Sequence, residues 1–175
     1  MKTGHGGRSS SKALPLELIK KSKYDAKTNT IDLEIKVKNS APFGQIFKGI
    51  SIQLRDNKNR PIGEFLNVDD LKAMQKGKGQ QGKGQQRSRS NVQETTNINE
   101  HLKTVDCRDC FKQNNGQEHM TAKSCLSHRS AKDKTNVRFT WKNTFGYTGK
   151  VEVHVTVVES YMKYWENKVI DFFFI

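Results

Sequence analysis

The stretch Ile31-Asp32-Leu33-Glu34-Ile35-Lys36-Val37-Lys38 alternates aliphatic and charged side chains without a break. Successive side chains of a β-strand point to opposite faces of a sheet, so this pattern predicts a strand with one buried and one solvent-facing side. The same period of two recurs along the chain, at residues 14–19, 47–54, 62–66, 137–141 and 151–157. Turn-forming clusters separate these segments. The sequence therefore predicts an all-β protein, an antiparallel, immunoglobulin-like β-sandwich.

Four valines between residues 151 and 157 alternate with Glu152, His154 and Thr156. The valines predict the buried face of a strand, and the three polar residues predict its solvent face. We expect His154 to have no specific role.

The chain has 175 residues, with 31 Lys and Arg against 18 Asp and Glu, and a formal net charge of +13. Residues 1–23 and residues 75–89 each carry a net charge of +5. The second stretch, QKGKGQQGKGQQRSR, has no apolar side chain to bury. With its flank, it predicts a disordered loop over residues 75–100 inserted into the domain. We expect the remaining sandwich to be nearly neutral.

This surplus of positive charge favours a polyanionic partner. The candidate binding residues are the basic side chains of the two stretches, namely Lys76, Lys78, Lys83, Arg87, Arg89, Arg8 and Lys12. The alternative is a solvated loop that contacts nothing specific. The sequence has no Gly-rich phosphate loop, nucleophile elbow or HExxH motif, and we expect no catalytic residues and no cofactor. No apolar run approaches the ~18–20 residues that span a bilayer.

Three cysteines and a histidine form two close pairs, Cys107 with Cys110 and Cys125 with His128. This spacing suits a tetrahedral zinc site, which with the basic charge would indicate a zinc-stabilised nucleic-acid-binding protein. The competing interpretation is a secreted domain in which one disulfide joins two of the cysteines. The pairings Cys110–Cys125 and Cys107–Cys125 both remain open.

Several motifs occur in an order that resembles the reeler (reelin-type) domain family. They are Gly4-His5-Gly6-Gly7 after Met1, Phe47 to Arg55, Pro61 to Phe65, Ser127-His128-Arg129-Ser130, Asp133-Lys134-Thr135 and Val137 to Trp141. The residues that correspond to family-motif positions are His5, Gly6, Gly49, His128 and Trp141. Family members carry a signal peptide and a cysteine before the first motif, and this chain begins at Met1 without them. The resemblance therefore implies a secreted protein and favours the disulfide over zinc.

The resemblance implies a single domain over residues 1–168, and the apolar segment 169–175 has no place in its pattern. The segment is consistent with a last strand and equally with a spurious or truncated end of the chain. Single-domain members are secreted defence proteins. The function implied is thus non-catalytic innate-immune binding of microbial surface polyanions such as lipopolysaccharide or lipoteichoic acid. Glycans of host cell surfaces, including blood cells, are further implied partners. The alternatives are an extracellular-matrix or adhesion module, and nucleic-acid binding through the basic loop.

Overall fold

The computed structural model describes residues 10–41, 45–67, 102–105 and 123–175. These residues form nine β-strands and no helix. The strands are β1 (Leu16–Lys20), β2 (Thr30–Val37), β3 (Gly49–Arg55), β4 (Glu64–Leu66), β5 (Leu102–Val105), β6 (Cys125–His128), β7 (Asn136–Lys142), β8 (Lys150–Ser160) and β9 (Lys163–Phe174).

Two antiparallel sheets contain all nine strands. The four-stranded sheet has the order β1-β2-β7-β4, and the five-stranded sheet has the order β5-β6-β3-β8-β9. A core of aliphatic and aromatic side chains is buried between them, with residues from both sheets at or near zero exposure. The all-β sandwich predicted from the period-two patterns is confirmed.

The alternating stretch that predicted the fold forms most of β2. Its residues Ile31, Leu33 and Ile35 are at most 4% exposed, and β2 pairs with β1 on one side and with β7 on the other. Glu34 departs from the simple pattern because it is buried on the outer face, where Lys21, Asn136 and Arg138 surround its carboxylate.

The sequence does not predict β5, β6 or the first half of β9, and for the second half of β9 it leaves a last strand as one of two alternatives. In β6, Cys125 and Leu126 are both buried, so the alternation that identifies a half-buried strand is missing. The apolar segment from Val169 to Phe174 forms the second half of β9 and pairs with β8. Its run of three phenylalanines also conceals the period of two, because Phe173 is buried while Phe172 and Phe174 are exposed.

The expectation that His154 lies on a solvent face without a role is wrong. Its side chain is on the outer face of the five-stranded sheet, yet the residue is only 7% exposed. Its ring nitrogens lie 3.2 Å from Asn167 Oδ1 and 3.2 Å from Glu152 Oε2. Gln53, directly opposite His154 on β3, is buried as well. A buried polar side chain costs stability unless it is hydrogen-bonded, and these contacts satisfy His154.

The expectation of a nearly neutral sandwich is also wrong. The described residues hold 21 Lys and Arg against 11 Asp and Glu, a net charge of +10. Residues 10–23 contribute +3 of this charge, since Lys20 lies in β1 and Lys21 and Lys23 come just after it. The other described residues contribute +7, because seven of the acidic residues that balance them in the full sequence lie outside the described ranges. No helix in the described ranges is long and apolar enough to cross a membrane.

Candidate functional site

One end of the five-stranded sheet collects positively charged side chains from distant parts of the sequence. At this end β3, β5 and β9 begin, and β6 and β8 end. We call it the basic end and define it by five solvent-accessible cations: Lys12, Lys48, Arg129, Lys132 and Lys163. Lys48, Arg129 and Lys163 lie at or beside the end of a strand. Lys132 lies in the loop between β6 and β7 and Lys12 in the segment before β1, so only the fold brings the five together.

Two acidic residues lie among these cations. Glu159 accepts hydrogen bonds from Lys163 Nζ at 2.8 Å and from Gln45 Nε2 at 2.7 Å, and Asp133 lies 4.0 Å from Lys48 Nζ. Both the Lys48 and the Lys163 side chains are exposed by 40% or more, so these surface pairs are weakened by solvent. With five cations against two acids, the basic end keeps an excess of positive charge.

A buried lysine holds two of the exposed cations in place. Lys134 is 3% exposed, and its ammonium donates to the carbonyl oxygens of Lys48, Ser130 and Lys132 at 2.6–2.8 Å. The backbone of Lys134 also pairs with that of Phe47. Burial lowers the pKa of Lys134, and the nearby carboxylate of Asp133 opposes that change. Lys134 therefore ties the loop after β6 to the start of β3.

The segment before β1 is attached to the same end. The backbone N–H of Ser10 donates to Tyr164 O at 2.7 Å, and the indole N–H of Trp165 donates to Lys12 O at 2.9 Å. The ammonium of Lys163 lies 5.5 Å from the centre of the Trp165 ring. Of the seven basic residues proposed from the sequence, Lys12 alone lies within the described ranges, and it is exposed.

Two of the family-motif residues contact each other at the basic end. A Cβ placed on Gly49 would lie 3.1 Å from His128 Cε1, so the absence of a side chain at Gly49 leaves room for the imidazole ring. His128 Nδ1 lies 3.3 Å from the Ile50 backbone nitrogen. His128 therefore packs β6 against β3.

The third described motif residue, Trp141, is part of the core. It is fully buried, and its indole N–H donates to Ile62 O at 3.1 Å. Trp165 is 2% exposed. Both tryptophans are therefore buried, and neither offers an exposed ring to a ligand.

The cysteine cluster is described only at one position. Cys125 is disulfide-bonded, and Gln53 Nε2 donates to its sulfur at 3.0 Å. A cysteine in a disulfide offers no thiolate to zinc. Cys107 and Cys110 lie outside the described residues, and the pairing stays a prediction.

Also outside the described residues lie His5, Gly6, Arg8, Lys76, Lys78, Lys83, Arg87 and Arg89. Among the residues that the structure describes, no group of three or more His, Cys, Asp or Glu is placed to hold a metal ion.

Sequence reasoning missed the basic end, because its cations are spread from residue 12 to residue 163 and none stands in a basic run outside the N-terminal stretch. One signal was available. Lys48 lies near the start of the period-two segment 47–54, and Arg129 lies near the end of the motif from Ser127 to Ser130. Residues near strand ends gather at the ends of a sandwich.

Comparison with known proteins gives matches that agree with this fold. Residues 96–172 match the family model described as the Reeler domain. The chain is 27% identical over 126 residues to "Defense protein l(2)34Fc" of Drosophila melanogaster. That alignment covers 72% of this chain and 55% of the relative, so this chain spans about half of the relative's length.

Solved structures share the architecture at low sequence identity. The human F-spondin reeler domain superimposes with a TM-score of 0.55 at 9% identity, covering 96% of this chain and 94% of that domain. The Reelin-N domain of F-spondin gives a TM-score of 0.54 at 9% identity, with coverage of 97% and 90%. These two matches concern the fold. Together with the family-model match over residues 96–172 and the Drosophila relative, they confirm the resemblance to the reeler domain family that the sequence motifs predicted.

Proposed function

We propose that this protein is a non-catalytic, secreted defence protein that binds anionic polymers of microbial surfaces through the basic end. The proposed ligands are polymers such as lipopolysaccharide and lipoteichoic acid. The observation that carries the proposal is the gathering of Lys12, Lys48, Arg129, Lys132 and Lys163 at one end of a sandwich whose described residues have a net charge of +10. The relative named a defence protein supports the biological setting.

Such a surface attracts a polyanion through long-range electrostatics and the release of counterions. The attraction needs no unique geometry, so polymers with different repeating units bind to the same cations. Lys134 contributes indirectly, because its three hydrogen bonds fix the backbone that carries Lys48 and Lys132. The basic stretch of residues 75–89 would add further, sequence-independent affinity.

The first test is the salt dependence of binding. We expect purified protein to bind lipoteichoic acid, lipopolysaccharide and heparin at about 50 mM NaCl, and to lose at least about tenfold in affinity at about 500 mM, because salt removes the entropic gain of counterion release. Binding that is equal at both salt concentrations, or absent at both, would contradict the proposal.

The location of the site is tested by a matched pair of triple variants. Replacing Lys48, Lys132 and Lys163 with Gln removes three charges from the basic end, and we expect about a tenfold loss of affinity at low salt. The control replaces Lys23, Lys27 and Lys58 with Gln; these exposed lysines lie at the opposite end of the sandwich, beside the turns that precede β2 and follow β3. Equal losses in the two variants would show that only total charge matters and would refute the site.

A third variant, in which Lys76, Lys78, Lys83, Arg87 and Arg89 are replaced with Gln, measures the contribution of the basic stretch. If this variant alone abolished binding, the stretch and not the basic end would be the binding site.

A further inference from the structure

The turn between β8 and β9 exposes two large side chains at the basic end. Tyr161 is 65% exposed and Met162 is 69% exposed, and they are the two residues that join the strands. We call this pair the hairpin tip. Exposed apolar side chains are common singly, but two adjacent ones at the extreme end of a hairpin and next to a group of cations call for an explanation.

The hairpin tip is held by two long, paired strands. β8 and β9 are the longest strands that the structure describes, with 11 and 12 residues. Ser160 pairs with Lys163 directly below the tip, and Val158 pairs with Tyr164. Tyr164 and Trp165 are 5% and 2% exposed and are hydrogen-bonded to the segment before β1. The tip is therefore held at the edge of the molecule by a buried and paired base.

The chemistry of the tip and its surroundings matches a charged lipid surface. Methionine is apolar, and tyrosine has an apolar ring with a polar hydroxyl, a combination that is favoured at the interface of a bilayer. Lys163 follows the tip directly, and Lys48 precedes β3, whose first residue pairs with Val158. Cations around an apolar tip are attracted by anionic headgroups when the tip enters the interface.

A protein partner fits these features less well. Stable protein interfaces bury ~800 Å² on each side, much more than two side chains supply. A bilayer requires no such area, because the apolar side chains enter the interface while the surrounding lysines contact headgroups.

We infer that the hairpin tip inserts into anionic lipid bilayers, with Tyr161 and Met162 entering the interface and the cations of the basic end contacting the headgroups. The inference rests on the proposed function in one respect, since both use the same cations. The inference differs from the proposed function in its ligand, which is a lipid bilayer and not a soluble polymer. A soluble polymer has no apolar interior that Tyr161 and Met162 could enter.

The test uses sedimentation with vesicles of phosphatidylcholine alone or with phosphatidylglycerol at a ratio of about 1:1. We expect the protein to bind the anionic vesicles and not the neutral ones. The double variant Tyr161→Ser, Met162→Ser should bind anionic vesicles about tenfold more weakly and should bind heparin unchanged. The matched control is Phe172→Ser, Phe174→Ser, which removes two exposed aromatic side chains from β9 near the opposite end and should bind vesicles as the wild type does.

A second measurement reports insertion directly. Trp141 and Trp165 are buried, so Tyr161→Trp adds an exposed fluorophore at the tip. We expect its emission to shift to the blue on addition of anionic vesicles and to be quenched by brominated lipid. Unchanged emission, or equal vesicle binding by the tip variant and the wild type, would overturn the inference. Heparin binding by the same samples tells this outcome apart from a failure of the proposed function.

Discussion

At the scale of single residues, Gly63 shows how closely the backbone approaches the core. Its φ is +65°, and a Cβ placed there would lie 2.4 Å from the Trp141 ring and 2.5 Å from Lys142 O. Glycine is thus required for two reasons, the left-handed backbone conformation and the absence of space.

The replacement Gly63→Ala tests both requirements together. We expect it to lower the free energy of unfolding by about 3 kcal/mol or more, because Trp141 is buried and cannot move away without disturbing the core. Urea unfolding followed by tryptophan fluorescence measures this loss.

Gly146 allows the cost of the left-handed backbone to be measured without the cost of crowding. Its φ is +61°, and a Cβ there would meet no atom within 4 Å. Gly146→Ala should therefore cost about 1 kcal/mol, the backbone part alone. Equal losses at both positions would contradict the crowding that we describe at Gly63.

At the scale of the element, the outer face of β8 carries a chain of polar contacts that period-two patterning assigns to solvent. Glu152 accepts a hydrogen bond from Lys150 at 2.8 Å and contacts His154, which also contacts Asn167 of β9. Burial lowers the pKa of His154 below its ordinary value of 6.5, and the charge of Arg55 lowers it further. The hydrogen bonds to Asn167 and Glu152 oppose this change without reversing it.

This lowered pKa predicts a loss of stability in mild acid. The unfolded chain takes up a proton near pH 6.5 that the folded His154 resists, so stability falls as the pH drops from about 6.5 towards the folded pKa. In His154→Gln, we expect this part of the pH dependence to disappear. Urea unfolding at intervals between pH 5 and 7.5 measures it.

Two carboxylates affect stability at lower pH than His154 does. Bonds from Lys21, Asn136 and Arg138 outweigh burial and lower the pKa of Glu34 from 4.5, and a hydrogen bond from Lys150 is the largest cause of the lowered pKa of Glu152. Both groups stabilise the fold above pH 4.5 and lose that effect below it. A wild-type slope between pH 5 and 6.5 that persists in His154→Gln would refute the assignment to His154.

At the scale of the whole molecule, β9 joins the two sheets through its apolar second half. Phe173 is 5% exposed, pairs with Val151 of β8 and packs edge-on against Trp141 of the opposite sheet, with ring centres 6.1 Å apart. The neighbouring Phe174 is 69% exposed. The segment from Val169 to Phe174 is thus part of the closed sandwich and contributes to its core.

Adjacent phenylalanines provide a matched test of this closure. We expect Phe173→Ala to lower the free energy of unfolding by about 3–5 kcal/mol, because it leaves a cavity between the sheets. Phe174→Ala removes the same atoms from the surface and should change stability by less than about 0.5 kcal/mol. Thermal and urea unfolding of the two variants check this. Similar effects would mean that the second half of β9 does not seal the core.

The sequence by itself determined the class of fold and part of the core. The alternation from Ile31 to Lys38 and the valines between 151 and 157 specify strands with one apolar face, because the side-chain period of a strand is a local property. The order of the motifs around Gly49, His128 and Trp141 indicated the reeler family.

Tertiary structure alone decided which outer faces are buried and where the charge is concentrated. His154 and Glu34 have the sequence pattern of exposed residues, yet partners on neighbouring strands enclose them. Lys12, Lys48, Arg129, Lys132 and Lys163 form one basic end only after five strands are paired. The physical reason is that strand periodicity depends on adjacent residues, whereas burial and electrostatic potential depend on side chains that are distant in sequence and close in space.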